Sequence, residues 1–154
     1  IGADINVEYV PTVPYSSEGV AMKNLVCIED GKLKNMHANC RYAYYLGMKP
    51  TGVYSKISVQ PGDMSFDDMK AHKGLYVVNF SDFQMDSLSG FFGGEIRLAY
   101  YNDGEKIVPV TGGSVNGTII DAQKDFEFSK ETQETSTFAG PKAILLKDIS
   151  VAGK

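Results

Sequence analysis

The segment from Gly94 to Val110 constrains the fold of this chain more than any other. Gly94 to Tyr101 alternates, with Ile96, Leu98 and Tyr100 on one face and Arg97, Ala99 and Tyr101 on the other. Asn102-Asp103-Gly104-Glu105 supplies turn residues, and Lys106 to Val110 pairs back. Period-two alternation on both sides of an Asp-Gly step marks a β-hairpin, because a tight reversal needs a positive φ that Gly adopts without a Cβ clash. The face carrying Ile96, Leu98 and Tyr100 is expected to point at the core.

The same grammar recurs upstream. Asn6 to Val10 reads as a short strand, and Leu25-Val26-Cys27-Ile28 as a second one. It turns at Glu29-Asp30-Gly31-Lys32, and Leu33 to His37 returns. Asn39 is placed as an N-cap before a helix from Cys40 to Leu46, stopped by Gly47, with Tyr42, Tyr45 and Leu46 sharing one face. Ser55 to Val59 reads as a strand. Ser65 caps a second helix that ends near His72, and Leu75 to Phe80 comes next as a buried-type strand. Ile119, Ala122, Gln123 and Phe126 fit one face of a helix of about ten residues. Lys124 to Glu134 reads as polar mixed loop, and Ala143 to Val151 as one or two closing strands. Hairpins outnumber βαβ units, which argues against a doubly wound fold. The expectation is a single, mostly β (α+β) domain over residues 1–154, its antiparallel sheets forming a sandwich or barrel, with two or three short helices.

A net charge of −4 and a pI near 5.1, with no basic stripe, argue against a nucleic-acid surface. No apolar run reaches the roughly 18 residues of a membrane helix. Two cysteines, Cys27 and Cys40, suit a reducing compartment, with the cytoplasm as default. The chain opens at Ile1 with neither Met nor a basic leader, and is expected to be a fragment of a longer protein.

Chemistry is sparse. Cys27, His37, Cys40 and His72 are zinc-ligand types, and His37 and Cys40 have ligand-like spacing. Without Cys-x-x-Cys pairs they read as core cysteines and surface histidines. Ser89-Gly90 lacks the Gly-x-Ser-x-Gly elbow of a nucleophile. Gly90, Gly93 and Gly94 lack a phosphate-loop context, and read as a bend, a bulge or a close backbone approach. Asp67, Asp68, Asp82 and Asp86 read as cap and loop residues. Tyr42, Tyr44, Tyr45, Tyr100 and Tyr101 read as aromatic packing, with a peptide-binding surface as the alternative.

Several segments, in order, resemble the TldD/PmbA metalloprotease family, also described as modulators of DNA gyrase. Ser17-Glu18-Gly19-Val20 and Glu29-Asp30-Gly31-Lys32-Leu33-Lys34-Asn35 are similar to its "EGV … ENGVLKN" segment. Arg41 to Gly52 is similar to "YxARKLGLxSTGN", Gly74-Leu75-Tyr76-Val77 to "GLYV", and Val151-Ala152-Gly153 to "TVAG". Gly112-Gly113-Ser114-Val115-Asn116-Gly117 resembles the segment that leads into its late helix. The chain departs from the pattern at Val53, where the family often has Asn, and at Tyr54-Ser55-Lys56, which replaces a Gly/Ser-rich loop.

The resemblance implies the C-terminal portion of a PmbA/TldE-like protein. In that family a TldD-type subunit carries His-Glu-x-x-x-His and a later Cys on zinc, and the PmbA/TldE type lacks them. The later Cys falls about a dozen residues before Gly140-Pro141, and Glu127 to Ala139 contains none. The resemblance therefore implies a non-catalytic subunit of a zinc-dependent peptidase in peptide maturation or degradation, with no cofactor of its own and zinc in a TldD-type partner. Its partners would be that subunit or a second copy, and peptide substrate, with no nucleic acid or membrane. Thr51, Gly52, Ser89, Gly90, Phe91 and Gly94 are the candidate peptide-groove or interface residues. The alternative is a stand-alone peptide- or protein-interaction domain unrelated to proteolysis.

Overall fold

The computed structural model describes residues 5–153. In chain order its first elements are β1 (Val7–Val10), β2 (Leu25–Glu29), β3 (Lys32–Leu33), α1 (Cys40–Leu46), β4 (Lys56–Val59) and α2 (Phe66–Ala71). Two long strands come next, β5 (Gly74–Met85) and β6 (Phe91–Asn102), then β7 (Ile107–Val110), β8 (Ser114–Thr118) and α3 (Ile119–Ala122), which tightens into a 3₁₀ turn over Gln123–Asp125. The short strands β9 (Glu127–Phe128), β10 (Thr132–Glu134), β11 (Phe138–Pro141), β12 (Ile144–Leu145) and β13 (Ser150–Ala152) complete the set. The class is α+β with mostly antiparallel sheets and short helices, as the hairpin grammar requires. None of the sheets among the described residues closes into a barrel.

The residues group into two compact units. One takes the chain up to Pro61 together with Glu131–Lys142, the other Gly62–Lys130 together with the residues from Ala143 on. The first unit holds a six-stranded sheet in the order β10-β11-β4-β1-β2-β3. Its pairings are antiparallel except β11 on β4, which run parallel. The β2–β3 reversal turns through Asp30 and Gly31, both at positive φ. Its return strand is only Lys32–Leu33, shorter than the expected run to His37, because the Lys34 and Asn35 amides both donate to the Cys27 carbonyl and end the ladder. α1 has the expected boundaries: the Asn39 carboxamide oxygen accepts from the Tyr42 amide at 2.9 Å, and Gly47 stops the helix at φ 63°.

The second unit is built on the β5–β6 hairpin. β6 pairs with β5 along one edge and with β7 and β8 along the other, and β13 adds beyond β8. β5 runs to Met85, past the expected end at Phe80, and is half-buried to exposed. The predicted core face of β6 holds at Ile96 and fails at Leu98 and Tyr100. Val77 pairs with Ala99, Asn79 with Leu98, Phe80 with Ile96 and Asp82 with Glu95, leaving Val78, Arg97 and Ser81 as bulged residues. An extra residue inverts the alternation, so the buried pair is Ile96 and Ala99, while Leu98 and Tyr100 stay more than a third exposed. Ile96, Ala99 and Val115 form the core, packed by Leu75, Val77, Phe80, Val110 and Ile149.

β7 and β8 face β6 in one register, Ala99 opposite Val110 and Glu95 opposite Ser114. Between them Gly112 and Gly113, both at φ 77°, take the chain past the β6 bulge. α2 and α3 start at the side-chain caps Ser65 and Thr118. α3 is shorter than expected. Phe126 is extended, at φ −63° and ψ 126°, and its ring meets Phe128 instead of continuing a helical face. The segment read as loop up to Glu134 contains β9 and β10, whose partners β12 and β11 supply the ladder bonds that their own sequences do not advertise.

Candidate functional site

Thr51 and Gly52 lie in the first unit and are spent on its own backbone. Both amides donate to the Ala38 carbonyl, at 3.0 and 3.1 Å, and the Ala38 amide donates to Thr51 Oγ1 at 2.9 Å. Gly52 is buried at φ 83°, and a Cβ there would stand 2.1 Å from Met22 Sδ. The pair clamps the segment entering α1.

Ser89, Gly90, Phe91 and Gly94 lie in the second unit, at the tip and first rungs of the β5–β6 hairpin. Asp86 organises the tip. Its carboxylate accepts from Ser89 Oγ at 2.6 Å and from the Leu88 amide at 2.9 Å, and these bonds, the Ser89 one first, hold its pKa below the usual carboxylate value. The Gly90 carbonyl accepts from the Ile119 amide at 2.8 Å, tying the tip to α3. A Cβ on Gly94 would meet Phe80 at 2.6 Å and the Asp82 carbonyl at 2.9 Å, so of the readings open for these glycines, close backbone approach applies here. The tip is apolar outside: Leu88 is 97% exposed and Phe91 47%, with Phe83, Met85 and Ile120 also exposed.

The zinc-type residues do not assemble. Cys27, His37 and Cys40 belong to the first unit and His72 to the second. Among the described residues no three His, Cys, Asp or Glu side chains form a group able to hold a metal. Cys40 is exposed, against the expectation of a core cysteine, and Cys27 is buried. His37 is not a plain surface histidine: its Nδ1 is buried without a hydrogen-bond partner, and its ring packs edge-on against the stacked rings of Tyr9 and Tyr54. The Tyr9 phenol, bonded to Cys27 and partly desolvated, has its pKa pushed up to about 12. Tyr42, Tyr44, Tyr45, Tyr100 and Tyr101 are all exposed, with Tyr44 at 83%, so they are not core. α1 buries Ala43 instead of its tyrosines.

The site that sequence reasoning missed is a cavity of about 340 Å³ in the second unit. Its sheet wall is Leu75, Tyr76, Tyr100 and Ile107. Phe66 and Met69 of α2 form a second wall, and Ala143, Ile144 and Leu145 a third. Tyr76 faces Tyr100 across the ladder with stacked rings, and Phe66 meets Tyr76 edge-on. Asn102 holds α2 against the sheet, its Nδ2 donating to the Lys70 and Ala71 carbonyls at 3.1 and 3.2 Å, which satisfies acceptors a helix end leaves open. Lys70, His72 and Lys73 stand at the rim, and no Asp or Glu lines the cavity. Its walls come from segments far apart in the chain, around Phe66, Tyr100 and Ile144, so no local sequence pattern signals it.

The window from Glu127 to Ala139 contains the fully buried Ser129, 0% exposed, whose Oγ accepts from the Ala143 amide at 3.0 Å. Among solved structures the chain is similar in fold to TldE from Thermococcus kodakarensis, with 16% identity and a TM-score of 0.83 over 99% of this chain and 40% of that one. It is also similar to a candidate modulator of DNA gyrase from Bacteroides thetaiotaomicron, with 19% identity and a TM-score of 0.84 over 99% of this chain and 37% of that one. A curated metalloprotease of Methanothermobacter thermautotrophicus is 25% identical over an aligned stretch of 139 residues, with 80% of this chain and 31% of that protein covered. The chain thus spans about a third of that curated relative's length. Residues 6–153 match the family described as the PmbA/TldA metallopeptidase C-terminal domain, and with nearly the whole chain inside that match, the protein belongs to this family.

Proposed function

We propose that this chain serves a zinc-dependent peptidase as the C-terminal part of a PmbA/TldE-type subunit, contributing surface for assembly and peptide handling while a TldD-type partner carries the zinc. The observation that carries the reading is the window before Gly140-Pro141, which holds the inward-bonded Ser129 and no cysteine. Catalytic zinc needs three protein ligands and one open position. The apolar hairpin tip around Leu88 and Phe91 supports an assembly role, since exposed apolar clusters of this kind mark interaction surfaces. The partner is a TldD-type subunit or a second copy, and the substrate is peptide in maturation or degradation. The acidic charge and reduced cysteines fit a cytoplasmic protein that binds neither nucleic acid nor membrane; no helix among the described residues is long and apolar enough to cross a bilayer.

Co-expression of the full-length parent with a TldD-type subunit, followed by sizing and a peptidase assay with and without chelator, tests the proposal. The expected result is a complex whose chelator-sensitive activity needs both subunits. Chelator-sensitive cleavage by the parent alone would overturn the non-catalytic role. One zinc per chain, lost on Cys40→Ala, would overturn it equally.

A further inference from the structure

We propose that the cavity beneath α2 in the second unit is a binding site for a C-terminal apolar residue of a peptide: the side chain enters the cavity and the α-carboxylate meets Lys73. The inference rests on the peptide-handling reading above and names which part of a peptide is recognised.

Three observations converge. The first is size and lining. A volume of about 340 Å³ walled by Leu75, Tyr76, Tyr100 and Ile107 suits one aromatic or branched aliphatic side chain. It stands at the small end of the roughly 300–1,000 Å³ common for ligand sites. The second is the sign of the rim. The chain carries a net charge of −4, yet the cavity is lined by Lys70, His72 and Lys73 and by no acid. A ligand with a carboxylate is therefore favoured over an amide or an amine.

The third is the inequality of the two lysines. Lys70 Nζ is bound to Asp67 Oδ1 at 2.7 Å and lies 4.7 Å from the Phe66 ring centroid, so its charge is engaged. Lys73 forms no ion pair among the described residues and feels the Asp103 carboxylate only at longer range. Asp103 is itself committed to the Glu105 and Lys106 amides of its own turn. Lys73 is left as the cation able to receive a ligand carboxylate. Asn102 keeps the wall in place by pinning the end of α2, so the cavity is a feature of the packed unit and not of a loose loop.

The same chemistry, a carboxylate on an apolar group, is offered by a free aryl acid, and the assay separates the two. Amide chemical shifts of this chain are followed by NMR with N-acetylphenylalanine, N-acetylphenylalaninamide, and a pentapeptide ending in Phe as acid and as C-terminal amide. The acids are expected to shift Leu75, Tyr76, Ile107 and Ile144 at millimolar concentration, and the amides to bind more weakly. Lys73→Gln should weaken the acids by about fivefold, the upper end for an exposed ion pair, and leave the amides unchanged. Ile107→Trp, at a half-exposed position on the wall, should block both. Lys23→Gln in the other unit should do nothing.

Equal affinity of acid and amide, an unchanged Lys73→Gln variant, or shifts away from these residues would overturn the proposal. Binding of N-acetylphenylalanine without the pentapeptide acid would overturn the peptide assignment in favour of a free aryl acid. Because the assay reads binding by this chain alone, its failure leaves complex formation and chelator-sensitive hydrolysis intact. Failure of those would not move these shifts.

Discussion

Gly112 and Gly113 form a matched pair for measuring what a methyl group costs in this sheet. Both have φ of 77°, so an alanine at either pays the same left-handed backbone strain. That strain is about 1–2 kcal/mol. They differ in space: a Cβ on Gly112 meets nothing within 4 Å, whereas one on Gly113 would stand 2.4 Å from the Ala152 carbonyl oxygen. That oxygen belongs to β13, whose Ala152 pairs with Ser114, so it cannot swing aside as a flexible side chain would. Gly113→Ala must overpack a backbone contact or peel β13 from β8, which adds about 1–3 kcal/mol. The expectation is a loss of about 1–2 kcal/mol for Gly112→Ala and about 2–5 kcal/mol for Gly113→Ala. In a chain of this size the difference is about 2–12 °C in thermal midpoint. Urea unfolding read by tyrosine fluorescence, with m-values compared to detect fraying of β13, measures both. Equal losses in the two variants would refute the steric argument.

Gly104→Val should cost about 1–3 kcal/mol, because a β-branched residue resists the φ of 97° found there; an unchanged denaturation midpoint would refute it. Thr51→Val keeps shape but leaves the Ala38 amide without its Oγ1 acceptor, so about 1–3 kcal/mol should be lost with no change in co-purification of a partner subunit. The pKa of Asp103 is held low by the Lys106 and Glu105 amides, so its contribution is present above the unfolded value near 3.9 and is lost as pH falls below it. Asp103→Asn should therefore show a shallower fall in melting temperature on acidification below about pH 4, and an identical slope would remove Asp103 from the account. Metal analysis of the purified chain should return less than one zinc per molecule, and a stoichiometric ion retained after dialysis would contradict the expectation.

Local signals were the legible ones. Asn39, Gly47 and Ser65 carry their caps and stop in side chains or in the lack of one, so α1 and α2 could be placed from sequence. The Asp-Gly steps at Asp30-Gly31 and Asp103-Gly104 likewise announce their turns. The bulges at Val78, Ser81 and Arg97 were not legible, because which residue leaves a ladder depends on the strand opposite. That is why alternation pointed to Leu98 when the fold buries Ala99. β9, β10 and β11 are two to four residues long and exist through distant partners, which no local pattern encodes. The roles of Thr51 and Gly52 hinge on the backbone of Ala38, and the cavity joins segments around Phe66, Tyr100 and Ile144. Neither leaves a mark in any single stretch of sequence.

The way the chain divides between its units also bears on its synthesis. The first unit is interrupted at Pro61 and regains its strands β10 and β11 only from Glu131–Lys142, where Phe138 pairs with Ile57. The second begins at Gly62 and receives β12 and β13 only after Ala143. During synthesis the β1–β2 and β5–β6 hairpins can therefore form early, whereas the six-stranded sheet waits for β10 and β11 and the second unit's sheets wait for β12 and β13. The outer edge of β4, which β11 covers in the finished fold, stays open from the synthesis of Lys56–Val59 until Phe138–Pro141 follows. Lys56 sits on that strand, and such a cation on a temporarily open edge discourages pairing with neighbouring chains.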